Sequence, residues 1–314
     1  MRIHDDITSA FGGTPLVRLN RINDGGATIL AKLEFYNPAS SVKDRLGVAL
    51  VNAAEASGEL QPGGTIVEAT SGNTGIALAM IGAVRGYRVV LTMPASMSKE
   101  RRALLKAYGA ELVLTDPHQG IAFSVSEAKR IAEETPGAVW VQQFDNPANP
   151  AIHVATTGPE IWDDTDGTVD VFVAGSGTGG TLTGVGHYLK ERKPGVKVIA
   201  VEPKDSPMLT EGRSGGHRIQ GIGPNLIPSI LDVDMLDEII DVEFPDAIRV
   251  ARELAQREGI LAGMSAGAAV WAAIEVSKRP EHAGQTIVVI IPDSGERYLT
   301  TTLYEDPEPP AEAK

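Results

Sequence analysis

Short apolar, β-branched runs alternate along this chain with longer segments whose apolar residues recur at helical spacing. The short runs predict strands at 28–33, 65–68, 88–92, 111–114, 139–141, 169–173, 196–201, 238–242 and 286–291. The periodic segments predict helices at 44–57, 74–84, 98–108, 120–134, 150–162, 178–193, 245–258 and 265–277. Strands that alternate with helices in this way form βαβ units, so the expected class is α/β with mostly parallel sheets. The run Ile287-Val-Val-Ile-Ile291 is apolar on both faces, as a central parallel strand is. The rigid stretch Asn146-Pro-Ala-Asn-Pro150 lies near mid-chain and is the expected domain boundary. The tail from Glu305 to Lys314 is acidic, rich in proline and without apolar anchors, so residues 304–314 are read as disordered and given no function.

The length of 314 residues suits about two domains. With no cysteine there is no disulfide, thiolate metal site or cysteine nucleophile. The 28 Lys and Arg against 41 Asp and Glu leave a net charge of −13. Duplex DNA and anionic membranes both need a basic face, so neither nucleic acid nor membrane is expected as a partner. The six histidines show no i, i+4 pair, which argues against a His-based metal site. The uncharged stretch 259–274 is too short and too rich in glycine to span a bilayer. No apolar leader is visible at the start, so the chain is read as cytoplasmic.

Two glycine-rich turns lie between a strand and a helix. The first is Thr70-Ser-Gly-Asn-Thr-Gly75, and the second is Gly175-Ser-Gly-Thr-Gly-Gly-Thr181. A helix start offers free N–H groups and a positive dipole end, and both suit an anion. One such turn alone reads best as a tight βα connection with an N-cap. Two, both dense in hydroxyls, point to two anion sites. The second also matches G-x-G-x-x-G at Gly175, Gly177 and Gly180, and Glu202 lies about where a ribose-binding acid would sit. A nicotinamide enzyme is therefore a rival reading. Lys43 lies at the start of a predicted helix. The helix dipole opposes a cation there, which disfavours a stabilising lysine and suits one whose pKa must fall for Schiff-base chemistry. A phosphate cradle, a carboxylate cradle and an activated lysine together suggest pyridoxal phosphate acting on an amino acid.

The chain resembles the cysteine synthase (O-acetylserine sulfhydrylase) family of the fold-type-II pyridoxal-phosphate enzymes over about residues 7–303. The resemblance is carried by Gly13-Thr-Pro-Leu-Val-Arg18, Asn37-Pro-Ala-Ser-Ser-Val-Lys-Asp-Arg45, Thr70-Ser-Gly-Asn-Thr-Gly75, Met93-Pro-Ala-Ser-Met-Ser-Lys-Glu-Arg-Arg102, Gln142-Gln-Phe-Asp-Asn-Pro-Ala-Asn-Pro150, Gly177-Thr-Gly-Gly-Thr181 and Ser294-Gly-Glu-Arg-Tyr298. It implies a tryptophan synthase β-like fold, α/β with two domains of mostly parallel twisted sheets flanked by helices. The smaller domain would span 35–148 with 1–12. The larger would span 149–303 with a crossover at 13–34.

The implied reaction is β-replacement of O-acetyl-L-serine by sulfide, giving L-cysteine and acetate through an α-aminoacrylate. Lys43 would carry the cofactor aldehyde and move protons. Asn73 would bond the cofactor's 3-hydroxyl oxygen, and Gly177, Thr178, Gly179, Gly180 and Thr181 would hold its phosphate. Ser265 would face the pyridine nitrogen; read as a residue alone, it is a helix N-cap. Thr70, Ser71, Asn73, Thr74 and Gln143 would hold the substrate carboxylate. The resemblance also implies a homodimer and a serine acetyltransferase whose C-terminal tail occupies the carboxylate loop. O-phosphoserine sulfhydrylase and cystathionine β-synthase-type replacement are the alternatives within the group. The segment Gln220-Gly-Ile-Gly-Pro-Asn-Leu-Ile-Pro228 departs from the family, which usually has glycine and phenylalanine at Asn225 and Leu226. Asn tolerates the left-handed conformation that glycine serves, so a neutral exchange is expected. Arg213 and Arg218 flank this loop, and O-acetylserine is expected to be preferred over O-phosphoserine.

Overall fold

The computed structural model describes residues 3–70 and 72–304. Ser71 and the acidic tail after residue 304 therefore lie outside the described residues. The strands are β1 (Leu16–Arg18), β2 (Thr28–Leu33), β3 (Thr65–Ala69), β4 (Arg88–Pro94), β5 (Glu111–Thr115), β6 (Ala138–Trp140), β7 (Val169–Gly175), β8 (Lys197–Pro203), β9 (Glu238–Val242) and β10 (Thr286–Ile291). The helices are α1 (Lys43–Ala56), α2 (Asn73–Arg85), α3 (Lys99–Ala107), α4 (Gly120–Glu134), α5 (Ala148–Ile152), α6 (Gly158–Asp164), α7 (Gly180–Arg192), α8 (Phe244–Glu253) and α9 (Met264–Ser277).

These elements form two sheets. One has six strands in the order β1-β2-β10-β7-β8-β9, and the other has four in the order β5-β4-β3-β6. All pairings are parallel except β1 with β2. Alternation along each strand feeds opposite faces. Val171, Val173, Ile287 and Val289 pack with Val250 of α8 and Ala268 of α9, while Phe172, Ala174, Val288 and Ile290 pack with Leu182 and Val185 of α7. In the smaller sheet, Ile66 and Leu91 pack with Leu46 of α1 and Ile76 of α2, and Val67 and Val90 pack with Ala128 of α4. Each sheet is thus covered by helices on both faces, as parallel sheets require.

All nine strands expected from the pattern are present, and β1 is added to them. At three residues, with two of them exposed, β1 leaves no periodic trace. The helix expected at 150–162 is one continuous rod in which a π-turn, His153–Thr157, separates α5 from α6. A second π-turn, Leu254–Glu258, ends the rod that α8 begins. No described helix is long and apolar enough to cross a membrane.

Candidate active site

Parallel strands of one sheet end on the same side, and the loops leaving their carboxyl ends face a common crevice. Here the loops after β7 and β10 face the turn that precedes α1. Together they form a small cavity lined by Lys43, Gly175, Gly177, Thr178, Gly179, Thr181, Gly221 and Ser265, among others. The turn 37–42 is strapped to the end of β10. Val42 N–H donates to Pro292 O at 2.8 Å, and Ser41 bridges Asp293. Ser40 is held at φ 59° within this turn, an uncommon conformation for a residue with a Cβ. Lys43 is the first residue of α1.

Lys43 Nζ makes no hydrogen bond or ion pair with any described residue, and it lines the cavity. Burial pushes its ammonium down to about 8, against the raising influence of Asp293 and Glu34. The expectation of a lowered pKa thus holds, but burial is its largest cause.

At the second glycine turn, none of the backbone N–H groups of Gly177, Thr178, Gly179, Gly180 and Thr181 has a partner among the described residues. Gly179 precedes α7 at φ +86°, and a Cβ there would come within 2.7 Å of Leu231 Cβ. A Cβ on Gly177 would lie 2.8 Å from Gly221 O. Only glycines let this backbone wrap so closely, and the result is a row of free donors at a helix start. That is an anion cradle. Thr181 is oriented from behind. Its hydroxyl lies 3.2 Å from His153 Nε2, and His153 Nδ1 lies 2.8 Å from Thr157 Oγ1. Burial pushes His153 down to about 3, so it stays neutral.

The first glycine turn opens α2. Thr70 and Thr74 are buried, and the N–H groups of Asn73 and Thr74 have no partner among the described residues. Thr74 Oγ1 donates to Gln143 Oε1 at 2.7 Å. Asn149 Nδ2 donates both to Gln143 O and to Thr178 Oγ1, each at 2.9 Å. The two turns are therefore joined through Gln143 and Asn149. Ser71 lies outside the described residues.

Ser265 lines the cavity, and its hydroxyl has no hydrogen-bond partner among the described residues. The N-cap reading of Ser265 is corrected. Gly263 is the N-cap of α9 with extended backbone (φ −77°, ψ 176°), and Ser265 is already the second helical residue. Its hydroxyl faces the cavity near Gly221, where a Cβ would lie 3.4 Å from Ser265 Oγ.

The nicotinamide reading does not survive. Glu202 is 2% exposed, and its carboxylate accepts from Leu209 N, Thr210 N and Thr210 Oγ1, each at 2.9 Å. It closes a local loop and offers nothing to a ribose. Asn225 takes a left-handed conformation (φ 63°) and accepts from Ser206 Oγ at 2.6 Å, which agrees with a neutral exchange for glycine. Arg213 pairs with Glu211, and Arg218 lies over the Phe244 ring at 4.1 Å, so neither cation lines the cavity.

Pattern reasoning passed over the ionic cluster behind Lys43. Arg45 Nε donates to Glu34 Oε2 at 2.8 Å, and its two terminal nitrogens reach Glu160 at 2.7 Å. Lys32 Nζ lies 2.9 Å from Glu160. Burial favours the neutral form of Glu34, yet Arg45 holds its carboxyl below the usual range. Arg101 was passed over too; it reaches Gln220 Oε1 at 3.0 Å and lies 5.6 Å from the Tyr298 ring centre.

The comparisons with known proteins fit this geometry. The family described as pyridoxal-phosphate dependent enzyme matches residues 7–293. Cysteine synthase A of Escherichia coli strain K12 is 52% identical over 314 residues, covering 97% of this chain and 97% of that protein. The crystal structure of cysteine synthase (OASS) from Entamoeba histolytica superposes with a TM-score of 0.94 at 47% identity, covering 99% of this chain and 93% of that one. An O-ureido-L-serine synthase superposes with a TM-score of 0.94 at 44% identity, covering 99% of this chain and 98% of that one. The enclosed lysine, the donor-lined glycine cradle and the free hydroxyl of Ser265 fit the aldehyde, phosphate and ring nitrogen of pyridoxal phosphate. The chain therefore belongs to the cysteine synthase family of pyridoxal-phosphate-dependent enzymes.

Proposed function

We propose that this chain replaces the acetoxy group on the β-carbon of O-acetyl-L-serine with sulfide, giving L-cysteine and acetate. The observation that carries this reading is the buried Lys43 ammonium, unpaired among the described residues, in one cavity with Gly177, Thr178, Gly179 and Thr181, whose backbone donors have no partner among those residues. Bound pyridoxal phosphate supplies an electron sink for the substrate α-carbon. Lys43 Nζ holds the cofactor aldehyde and, once free, takes the α-proton and later returns it. The N–H groups of Gly177, Thr178, Gly179, Gly180 and Thr181 hold the phosphate. Thr70, Ser71, Asn73, Thr74 and Gln143 hold the substrate carboxylate at the start of α2. Ser265 faces the pyridine nitrogen with a hydroxyl. A hydroxyl supports a proton there less well than a carboxylate would, so a long-lived carbanion is disfavoured and elimination of a good leaving group is the easier path.

The smaller body at 35–148 carries the carboxylate loop, and the larger at 149–303 carries the phosphate loop. The Gln143–Asn149–Thr178 chain lets carboxylate binding draw the two together. We place the protein in the cytoplasm as a homodimer. The carboxylate loop is also where the C-terminal tail of a serine acetyltransferase would dock.

The O-ureido-L-serine synthase shares this fold, so the fold alone does not select the substrate. The pocket does. A phosphate dianion on the leaving group needs a cation. Arg213 and Arg218 are engaged elsewhere. With saturating sulfide, kcat/KM for O-acetylserine is expected to exceed that for O-phosphoserine by at least ~10-fold, about 1.4 kcal/mol of transition-state binding. Equal efficiencies, or a higher one for serine with homocysteine, would overturn the substrate assignment.

A second test follows from Lys43. Only the neutral amine captures the cofactor aldehyde, and the ammonium loses its proton near about 8 rather than at the ordinary 10.5. The capture rate of cofactor-free protein should therefore rise about tenfold per pH unit and level off above about pH 8. Stopped-flow absorbance measures this. A rate still climbing tenfold per unit between about pH 9 and 10 would show an ordinary lysine.

A further inference from the structure

The motif Ser294-Gly-Glu-Arg-Tyr298 begins after the two residues that follow β10 and has no part in the chemistry above. Its residues nevertheless end on Asn73. The Arg297 guanidinium donates to Asn73 Oδ1 and also to Ala39 O. Asn73 Nδ2 donates to Asp293 Oδ2 at 2.8 Å. Asp293 is 1% exposed, and the same oxygen accepts from the buried Tyr298 hydroxyl at 2.6 Å.

An asparagine amide is nearly symmetric in shape, and its two orientations differ only in which end donates. At this position the surroundings decide between them. A guanidinium can only donate, and a carboxylate can only accept. Turning the amide over would set its NH₂ against Arg297 and its oxygen against Asp293. Both contacts would become repulsive.

We infer that Arg297 is a positioning residue that acts through Asn73, fixing the amide so that its NH₂ lies on the Asp293 side with one N–H left for the cofactor's 3-hydroxyl oxygen. This rests on the reading of Asn73 as a cofactor ligand. The second arm of Arg297 reaches Ala39, four residues before Lys43, so one side chain spans the turn of the lysine and the start of α2.

The experiment is a double-mutant cycle read by cofactor affinity. Cofactor-free wild type, Arg297→Met, Asn73→Ala and the double variant are titrated with pyridoxal phosphate and followed by absorbance. Arg297→Met is expected to weaken binding about tenfold, as loss of a charged hydrogen bond does. In the Asn73→Ala background the same change should alter binding by less than about twofold, because the group through which Arg297 acts is gone. Arg297→Lys keeps a donor and should recover part of the loss. Melting of the cofactor-free proteins is measured alongside. If Arg297→Met does not fold, Arg297→Lys is carried through the same cycle, with a smaller loss expected and again only when Asn73 is present. A loss of equal size in both backgrounds would overturn the inference, as would wild-type affinity in Arg297→Met. Failure of the wild type to bind pyridoxal phosphate would overturn instead the reading of the site on which it rests.

Discussion

Lys43→Ala should abolish cysteine formation, with turnover down at least ~10³-fold. One side chain does two jobs here, holding the cofactor and moving the α-proton, and proton transfer by a positioned base alone contributes roughly 10²–10⁴-fold. The loss should come without a loss of fold. The Lys43 ammonium makes no ion pair with a described residue, and burial works against its charge. Removing it takes away a strained charge rather than a support, so the melting temperature of the cofactor-free variant should be equal to or above that of the cofactor-free wild type. Steady-state rates with O-acetylserine and sulfide, together with thermal melts, check both halves. A variant within about tenfold of wild-type turnover would show that another residue holds the cofactor.

Arg45→Met should have the largest effect on stability, a loss of about 3–5 kcal/mol. The reason is Glu34, fully buried and joined to Arg45 at 2.8 and 2.9 Å. Without the guanidinium, Glu34 is left as a buried carboxylate with Thr14 and Asn37 as its nearest donors, at 2.7 and 2.8 Å. Glu160 loses the same partner, and Arg45 with Lys32 is what holds it at about 2 despite its burial. Adding Glu34→Gln to Arg45→Met should restore part of the loss, because it removes the orphaned charge. Urea unfolding of the wild type and the variants measures this. A single variant within about 1 kcal/mol of wild type would mean that the cluster adds little.

Both effects arise within the segment 32–45, yet the sequence exposes them unequally. Lys43 stands out because a cation at a helix start is out of place, and the residues around it form a long motif. Arg45, two positions on, reads as an ordinary surface arginine. Its partner Glu160 lies 115 residues away on α6. No local pattern links such positions, and charged residues are rarely buried unless paired. The glycine turns were legible for the opposite reason. Their chemistry depends on the backbone at a strand–loop–helix junction, and that junction is local.

Ser265 shows the limit of local reasoning. A serine near a predicted helix start suggests a cap, but the chain begins the helix at Met264 after an extended Gly263. The two-position shift of the cap, from Ser265 to Gly263, leaves the hydroxyl facing the cavity. The network of Asp293, Arg297 and Asn73 was invisible for the same reason as Arg45: its members are 220 and 224 residues apart. Likewise, β1 is set by its pairing with β2 and not by periodicity.

The central claim is that pyridoxal phosphate sits on Lys43 and that cysteine is made there. The most direct measurement reduces the cofactor-loaded protein with borohydride, digests it and locates the modified residue by mass spectrometry, while a parallel sample given O-acetylserine and sulfide is assayed for cysteine. The account predicts a pyridoxyl phosphate group on the peptide containing Lys43, and cysteine formed in step with acetate. A modification on another lysine, or cysteine formation by protein that carries no cofactor, would contradict it.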